Sequence, residues 1–263
     1  ILKKENSTNL IRIFSPEHGF YSDISAGEKV ENSTYLDIEV VSLYGKNRSP
    51  SDNDVKDLDV LIIDIQDIGS TYYTYVSTIT NMLEAAAKHN ISVIILDRPN
   101  PLGMLVYGPT REKFGFIGMH PIPIRHGMTV GELSIMINEE GWLKDNLKSN
   151  LVIVKLENYT RNAEYELPII PSPNLPNKRS INLYPSLCLF EGTNVSAGRG
   201  TKMQFQIFGS PYLDKKNNIF NFIPQKNSGS KNPKHENIIC YGKNLGNLGR
   251  QNKLNLSFLI NAY

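Results

Sequence analysis

A carboxylate and an imidazole stand side by side at Glu17 and His18, directly after a β-rich stretch over residues 10–14. Such a pair can move a proton to or from a substrate, and the backbone amides of a turn can adjust the protonation of the carboxyl group. Neighbouring Glu and His residues more often belong to a solvated turn, so the pair by itself is weak evidence for catalysis. Its meaning depends on the polar groups that the fold brings near it.

Polar side chains follow two later apolar runs in the same way. They are Asp64, Gln66 and Asp67 at the end of the first run, and Asp97, Arg98 and Asn100 after the second. The carboxyl ends of parallel strands meet at one edge of a sheet, and open α/β sheets bind ligands at that edge. For Asp64 and Asp97 a structural role is an even alternative, because an Asp at a strand end often accepts hydrogen bonds from the turn or caps the next helix.

The apolar pattern predicts the elements that position these groups. Residues 59–65 and 92–96 are almost uninterrupted apolar runs, typical of parallel strands that are buried on both faces. Helical spacing over residues 74–89 predicts a helix between them, and a second helix over residues 129–138 begins with a capping box. Strand, helix and strand in this order predict a right-handed βαβ unit. The expected fold is α/β, with a Rossmann-like, mostly parallel sheet, helices on both faces, and a smaller, incomplete α+β subdomain.

The second half of the chain has a different character. Prolines recur over residues 168–185 and mark an extended, turn-rich passage. We therefore predict a Rossmann-like catalytic subdomain over residues 1–165 and a smaller subdomain over residues 166–263, truncated or divergent, that contributes to the cleft. Past Lys215 the sequence is rich in Asn, Lys, Gly and Ser, which is typical of long loops or a poorly ordered segment.

Two later segments carry further candidates. Arg125 and His126 precede the second predicted helix, whose positive end would disfavour a protonated imidazole. A buried neutral histidine is the structural alternative. A glycine-spaced polar loop over residues 191–200 is able to bring backbone close to a ligand. Its candidates are Glu191, Asn194 and Arg199.

Composition and missing motifs argue against several classes of function. The formal net charge is +2, from 28 Lys and Arg against 26 Asp and Glu, which is too small for a field that gathers nucleic acid. No apolar run approaches the ~20 residues of a membrane-spanning helix. The glycine-rich motifs of nucleotide binding and the Gly-x-Ser-x-Gly elbow of hydrolases are absent. We therefore predict no cofactor, no metal and no nucleic-acid partner.

Cys188 and Cys240 are far apart and have no other Cys or His at ligand spacing, so a zinc site is not expected. Two isolated thiols are more often small buried hydrophobes than a disulfide, and that alternative is favoured. The sequence begins at Ile1 with neither an initiating methionine nor a visible signal peptide, as a chain trimmed at its start would.

Short sequence blocks follow one another in a fixed order from about Leu10 to Tyr212. They include Ser15-Pro16-Glu17-His18-Gly19, Asp64-Ile65-Gln66-Asp67-Ile68-Gly69, Tyr73-Thr74-Tyr75, Leu96-Asp97-Arg98-Pro99-Asn100-Pro101, Arg125-His126-Gly127-Met128-Thr129, Pro171-Ser172-Pro173-Asn174 and Phe190-Glu191-Gly192-Thr193-Asn194. In this order the blocks resemble the NamZ-like exo-β-N-acetylmuramidases, formerly a family of unknown function.

The resemblance implies a Rossmann-like subdomain and a smaller one, with a cleft between them that removes N-acetylmuramic acid from the non-reducing end of peptidoglycan fragments. It implies that Glu17 is the catalytic general acid/base, because a carboxyl kept protonated by partial burial can donate to the leaving glycosidic oxygen. Asp64, Asp97 and Glu191 are available as the second carboxylate, with Asp64 and Glu191 preferred. A carboxylate separation of about 5 Å would imply retention, and roughly 6.5–9.5 Å would imply inversion.

An exo-acting enzyme needs a pocket that recognises a chain end, and the lactyl carboxylate of muramic acid calls for a cation. Arg98 and Arg199 rank ahead of Arg125 for this contact. The full predicted substrate-binding set is His18, Gln66, Asp97, Arg98, Asn100, His126, Asn174, Asn194 and Arg199. The resemblance also implies export, as a periplasmic, secreted or lipoprotein form, because peptidoglycan lies outside the cytoplasm.

Departures from the family pattern keep two alternatives open. Met104 and Tyr107 stand where family members more often have Gly and Glu. The match begins at the Glu17 strand, after an earlier strand of the family, and is lost after Tyr212. A non-catalytic cell-wall sugar-binding α/β protein derived from the family is therefore the second hypothesis. A nucleotide- or phosphosugar-binding α/β protein, suggested by the expected sheet alone, is the third.

Overall fold

The computed structural model describes Glu5 and residues 7–263, and this part of the chain contains three small sheets. The strands are β1 (Arg12–Ser15), β2 (Ser33–Tyr35), β3 (Ile38–Ser42), β4 (Val60–Ile63), β5 (Ser92–Leu96), β6 (Leu151–Val154), β7 (Ile207–Ser210), β8 (Phe220–Phe222) and β9 (Cys240–Asn244). The α-helices are α1 (Asp52–Val55), α2 (Tyr75–Lys88), α3 (Val130–Glu139), α4 (Lys178–Leu187) and α5 (Ser257–Ile260). Short 3₁₀ helices cover Lys144–Asn146 and Cys188–Gly192.

The central sheet has the strand order β4-β5-β6, and its strands are parallel. Helix α2 connects β4 to β5, so the predicted strand, helix and strand unit is confirmed. Helix α3 begins with the predicted capping box. The Thr129 hydroxyl oxygen accepts from the Glu132 backbone N–H at 3.1 Å, and the Glu132 carboxylate accepts from the Thr129 N–H at 3.0 Å. This sheet and its helices confirm the α/β class.

Helices α2 and α3 both pack on one face of this sheet. Their apolar sides form one core with Leu61, Val93 and Ile95. On the opposite face, Val60 and Val152 are 40% and 50% exposed. Among the described residues, helices therefore cover one face of this sheet, whereas helices were expected on both faces. Strands β4 and β6 alternate between more buried and exposed positions, which their uniformly apolar sequences do not reveal.

The strand that precedes Glu17 lies in a separate sheet with the order β1-β3-β2. Strand β1 pairs with β3 in parallel, and β2 pairs with β3 in antiparallel. Strands β1 and β4 each lie at the end of their sheet, and a mainly apolar cavity of about 910 Å³ lies between them. Ile13, Ile63 and Ile79 contribute to its lining. Within the described ranges these two strands border one cavity without joining into one sheet.

The second half of the chain forms the antiparallel sheet β7-β9-β8 and a second apolar core. This core joins Leu183, Phe190 and Phe208 to Ile68 and Tyr73 from the first half. The two halves therefore share a core, and the predicted boundary at residues 165 and 166 stays a prediction. No helix among the described residues is long and apolar enough to cross a bilayer.

The expectation of loops or poor order past Lys215 is wrong for strands β8 and β9. Strand β9 reads Cys-Tyr-Gly-Lys-Asn, a composition that indicates a loop when it is seen in sequence alone. A Cβ atom at Gly242 would lie 1.8 Å from the Phe208 carbonyl oxygen, so the close pairing of β9 with β7 requires glycine there. Cys240 is fully buried in the same strand, and both Cys188 and Cys240 are free thiols.

Candidate active site

The Glu17 carboxylate is held at the turn that follows β1. Glu17 is only 8% exposed, and each of its carboxylate oxygens accepts a hydrogen bond. The Gly27 backbone N–H donates to Oε1 at 3.0 Å, and the Thr74 hydroxyl donates to Oε2 at 2.6 Å. The Tyr75 hydroxyl donates to the Glu17 backbone carbonyl at 3.1 Å. The start of α2 and the loop around Gly27 therefore fix this carboxyl group in one orientation.

Tyrosine hydroxyls surround the same carboxyl group. Burial raises the pKa of Tyr44 to about 12, and the negative charge of Glu17 and a hydrogen bond to it act in the same direction. Burial also raises the pKa of Tyr75 to about 12 and that of Tyr73 well above its usual value. These buried hydroxyls stay protonated near neutral pH, so they are able to act as hydrogen-bond donors.

His18 adopts a left-handed backbone conformation, with φ of 73°. Its Nδ1 lies 2.8 Å from the Ile24 carbonyl oxygen, which only accepts, so Nδ1–H is the donor. Burial lowers the pKa of His18, and the positive charge of Arg199 lowers it further. The ring is therefore neutral near pH ~7, and its Nε2 carries a lone pair that is able to accept a hydrogen bond.

Arg199 and Glu191 form an ion pair near this turn, with Arg199 Nε 3.0 Å from Glu191 Oε1. The guanidinium also lies over the Phe205 ring, 4.9 Å from its centroid. Burial alone would lower the pKa of Arg199, but the charge of Glu191 and the hydrogen bond to it raise it, and the net pKa is raised. Because the charge of Arg199 acts on His18, this pair lies within electrostatic range of the Glu17 turn.

Glycines shape the loop that carries Arg199. Gly198 and Gly200 have φ of 82° and 77°, and a Cβ atom at either would lie 2.7 Å from a backbone carbonyl oxygen, that of Met203 or of Gln225. Only glycine fits both the backbone conformation and the space. The glycine spacing that indicates a loop in the sequence is thus required to place Arg199 between them.

Asp64, Arg98 and Gln66 form a different cluster at the ends of β4 and β5. Arg98 donates to Asp64 Oδ1 at 2.6 Å, and the Asp64 side chain is 47% exposed. The Gln66 amide donates to the carbonyls of Asp67 and Pro99. Asp64, Gln66 and Arg98 line the cavity between β1 and β4. Across the described residues, no hydrogen bond or ion pair links this cluster to Glu17, so its part in the reaction stays a prediction.

Asp97 and Asn100 are engaged with backbone groups. Asp97 accepts from the Gly131 N–H at 2.7 Å and from the Thr129 hydroxyl at 2.9 Å. Asn100 donates to the Met128 carbonyl at 3.1 Å and accepts from the Leu102 N–H at 2.9 Å. The contacts of Asp97 support a structural role, which the sequence left open as an alternative. A substrate contact of either residue stays a prediction.

We expect Asp97→Asn to lower the free energy of unfolding by about 1 kcal/mol, because a negative charge and an acceptor are lost at the positive start of α3. Urea denaturation measures this change. The Michaelis constant for the substrate that the sequence resemblance implies should not change. Glu157→Gln on the exposed surface is the matched control. An increase in that constant with unchanged stability would instead favour a substrate contact of Asp97.

The remaining predicted residues are placed as follows. His126 Nε2 lies 3.2 Å from Asp67 Oδ2, and both side chains are buried. The Asn174 amide donates to the Gly229 carbonyl and is buried as well. Asn194 is exposed, at the turn after the Cys188–Gly192 helix. Their contacts with a substrate stay predictions. In the described part of the chain, no group of three or more His, Cys, Asp or Glu side chains is arranged to hold a metal ion.

The direct partners of Glu17 are the residues that sequence reasoning missed. Thr74 was expected as the start of a helix, and Thr74, Gly27 and Tyr44 all lie in blocks that carry the family resemblance, but none of them was predicted as a site residue. The available signal was that Tyr73-Thr74-Tyr75 places three hydroxyl groups at a helix start next to a strand end. The fold and the site together define an α/β protein with a buried, hydrogen-bonded carboxyl group at the end of a parallel strand.

Two family descriptions match this chain. Residues 1–179 match "Exo-beta-N-acetylmuramidase NamZ, N-terminal", and residues 182–259 match the C-terminal description of the same family. The chain belongs to the NamZ exo-β-N-acetylmuramidase family, which confirms the resemblance found in the sequence.

Relatives agree with this assignment. The chain is 39% identical over 224 residues to the peptidoglycan β-N-acetylmuramidase NamZ of Bacillus subtilis (strain 168), a match that covers 81% of this chain and 53% of the relative. The chain thus spans about half the length of that curated relative. A solved DUF1343 family protein from Bacteroides fragilis NCTC 9343 is 42% identical, with a TM-score of 0.87 and coverage of 98% of this chain and 71% of that one. A second one from the same strain is 29% identical, with a TM-score of 0.79 and coverage of 92% and 66%.

Proposed function

We propose that this chain carries the active site of a glycoside hydrolase that removes N-acetylmuramic acid from the non-reducing end of peptidoglycan fragments. The observation that carries the proposal is the buried carboxyl group of Glu17, fixed by the Gly27 N–H and the Thr74 hydroxyl in a member of this family. A carboxyl group fixed in one orientation beside a bound sugar is suited to donate a proton to the leaving glycosidic oxygen as positive charge develops on the sugar.

Glu191 is the better candidate for the second carboxylate. Its partner Arg199 acts electrostatically on His18, next to Glu17, whereas Asp64 pairs with Arg98 beside the cavity between β1 and β4. A second carboxylate stabilises the positive charge of the transition state, and it either activates water or attacks the sugar directly. Its separation from Glu17 in the substrate complex decides between these two roles.

Arg199 is the candidate partner of the lactyl carboxylate. Only its Nε donates to Glu191, and its two terminal nitrogens have no hydrogen-bond partner in the described part of the chain. Two parallel N–H groups of a guanidinium match the two oxygens of a carboxylate. This contact would distinguish a muramyl end from an N-acetylglucosaminyl end, which lacks the lactyl group.

The proposal also includes the place of action and the partners. The substrate is a peptidoglycan-derived muramyl sugar, which places the enzyme outside the cytoplasm as an exported protein. Nucleic acid is not a partner in this proposal, since the net charge of +2 is small.

Hydrolysis of a chromogenic N-acetylmuramide tests the proposal. We expect release of the chromophore from the muramide and much slower release from the matching N-acetylglucosaminide. A folded protein that binds the muramyl sugar in calorimetry but releases no chromophore would support the non-catalytic binding protein instead. A folded protein that neither binds nor cleaves the muramide would contradict both.

A further inference from the structure

The Lys234 ammonium group is surrounded by backbone carbonyls of one short segment. Its Nζ lies 2.6 Å from the Thr193 oxygen, 3.0 Å from that of Phe190, 3.3 Å from that of Val195 and 3.4 Å from that of Glu191. These carbonyls lie at and beyond the carboxyl end of the Cys188–Gly192 helix, where the Phe190 oxygen also accepts from the Thr193 N–H. A positive charge is favourable at that end.

The segment over residues 190–195, whose carbonyls face Lys234, leads directly to the candidate site. It contains Glu191, whose carboxylate pairs with Arg199. At its start, Phe190 is buried and stacks on Phe208 at 4.9 Å, so the backbone at that end is anchored by packing. At the other end Val195 is buried in the same core, and Lys234 adds polar contacts to the carbonyls of Thr193 and Val195. The next residue adds a second contact, because His235 Nε2 lies 2.6 Å from the Asn194 carbonyl oxygen.

The electrostatic surroundings of Lys234 show why an ammonium is needed. Burial lowers the pKa of Lys234, while the negative charge of Glu191 raises it and the positive charge of Arg199 lowers it. Lys234 is therefore coupled to the same ion pair through its charge as well as through the backbone. An ammonium is a compact donor that can face several carbonyls at once, whereas the planar fork of an arginine cannot.

We propose that Lys234 is a positioning residue, which fixes the backbone over residues 190–195 and thereby sets the place of the Glu191–Arg199 pair that receives the muramyl end. This inference rests on the proposed function. Lys234 thus contributes to recognition of the sugar without touching it.

Lys234→Met tests this role, because it keeps an apolar stem of similar length and removes the ammonium. We expect the Michaelis constant for the chromogenic N-acetylmuramide to rise about tenfold, with a smaller change in kcat. The preference for muramide over glucosaminide should fall by a similar factor, since the contact to the lactyl group is displaced. Lys216→Met, on the exposed surface, is the matched control and should leave both values unchanged.

Two further readouts separate positioning from stability alone. In Lys234→Met, the backbone amides over residues 191–196 should exchange hydrogen faster in the folded protein. In Lys234→Ala, added propylammonium should restore part of the muramide preference by occupying the space of the missing ammonium. A lowered melting temperature with unchanged muramide preference would overturn the inference.

If the wild-type protein neither binds nor cleaves the muramide, the proposed function fails and this inference fails with it. If the wild type cleaves it and Lys234→Met does so equally well, only the inference fails.

Discussion

Glu17→Gln should reduce hydrolysis of an N-acetylmuramide with a poor leaving group by about 10²–10⁴-fold, the usual contribution of a general acid. The substituted amide is close in shape to the carboxyl group. Its oxygen can still accept from the Gly27 N–H, and the Thr74 hydroxyl can rotate to accept from its NH₂ group. The fold should therefore persist, while the acidic proton is lost.

The leaving group shows which role Glu17 has. With a dinitrophenyl leaving group, which departs without protonation, kcat/KM of the Glu17→Gln variant should stay close to that of the wild type. An equal loss of kcat/KM for both leaving groups would contradict the general-acid role and favour a nucleophile. Glu164→Gln, an exposed carboxylate paired with Lys178, is the matched control and should have no effect with either substrate.

The local elements around the site could be predicted because each is encoded in a short stretch. The Ser92–Leu96 strand has its predicted bounds, and helix α2 differs from its prediction by one residue at each end. The capping box of α3 was predicted for the same reason, since its two partners are three residues apart. Glu17 was singled out by its place at a strand end, while its catalytic role was implied by the family resemblance and stays a prediction.

The partners of Glu17 could not be predicted, because they come from distant parts of the sequence. Gly27 is 10 residues away and Thr74 is 57 residues away. Lys234 was harder still to predict, because nothing distinguishes it from the other lysines of an Asn- and Lys-rich passage. Its partners are backbone carbonyls 39 to 44 residues earlier in the chain. Every residue has a backbone carbonyl, so a sequence does not indicate which carbonyls face a lysine. The structure is needed to identify such a contact.

From the expected topology we predicted that the strand ends meet at one edge of a single sheet. In the structure these strand ends belong to two separate sheets. Parallel strands of one sheet would bring Glu17 and Asp64 to the same edge. Here β1 and β4 belong to different sheets with a cavity between them, so Asp64 pairs with Arg98 and has no direct contact with Glu17. The period of the apolar residues fixes which face of a strand is buried, but not which strand lies next to it.

His120 should make the protein less stable in mild acid. It is 2% exposed and stacks on Trp142 at 5.3 Å. Its Nε2 lies 2.7 Å from the Thr80 hydroxyl, which itself donates to the Val76 carbonyl, so the neutral ring donates from Nε2–H. A second proton at Nδ1 would create a buried charge without a hydrogen-bond partner among the described residues. Burial accordingly lowers the pKa of His120 to about 4.

The direction of the pH effect follows from this lowered pKa. Between the ordinary histidine value and a pKa of about 4, the unfolded chain binds a proton at His120 that the folded protein does not bind. The free energy of unfolding should therefore fall as pH falls through this window, by about 2 kcal/mol from about pH 7.5 to about pH 5. His18, whose pKa burial also lowers, adds a loss in the same direction.

Urea denaturation at these two pH values measures the effect, and the fluorescence of Trp142, the single tryptophan of the chain, reports unfolding. His120→Phe keeps the stacking on Trp142 and cannot be protonated, so most of the difference in stability between the two pH values should disappear. His89→Gln, at a partly exposed histidine, should retain that difference. If His120→Phe loses as much stability in acid as the wild type, the buried neutral imidazole is not the group that senses pH, because the proton that opposes folding must then bind elsewhere.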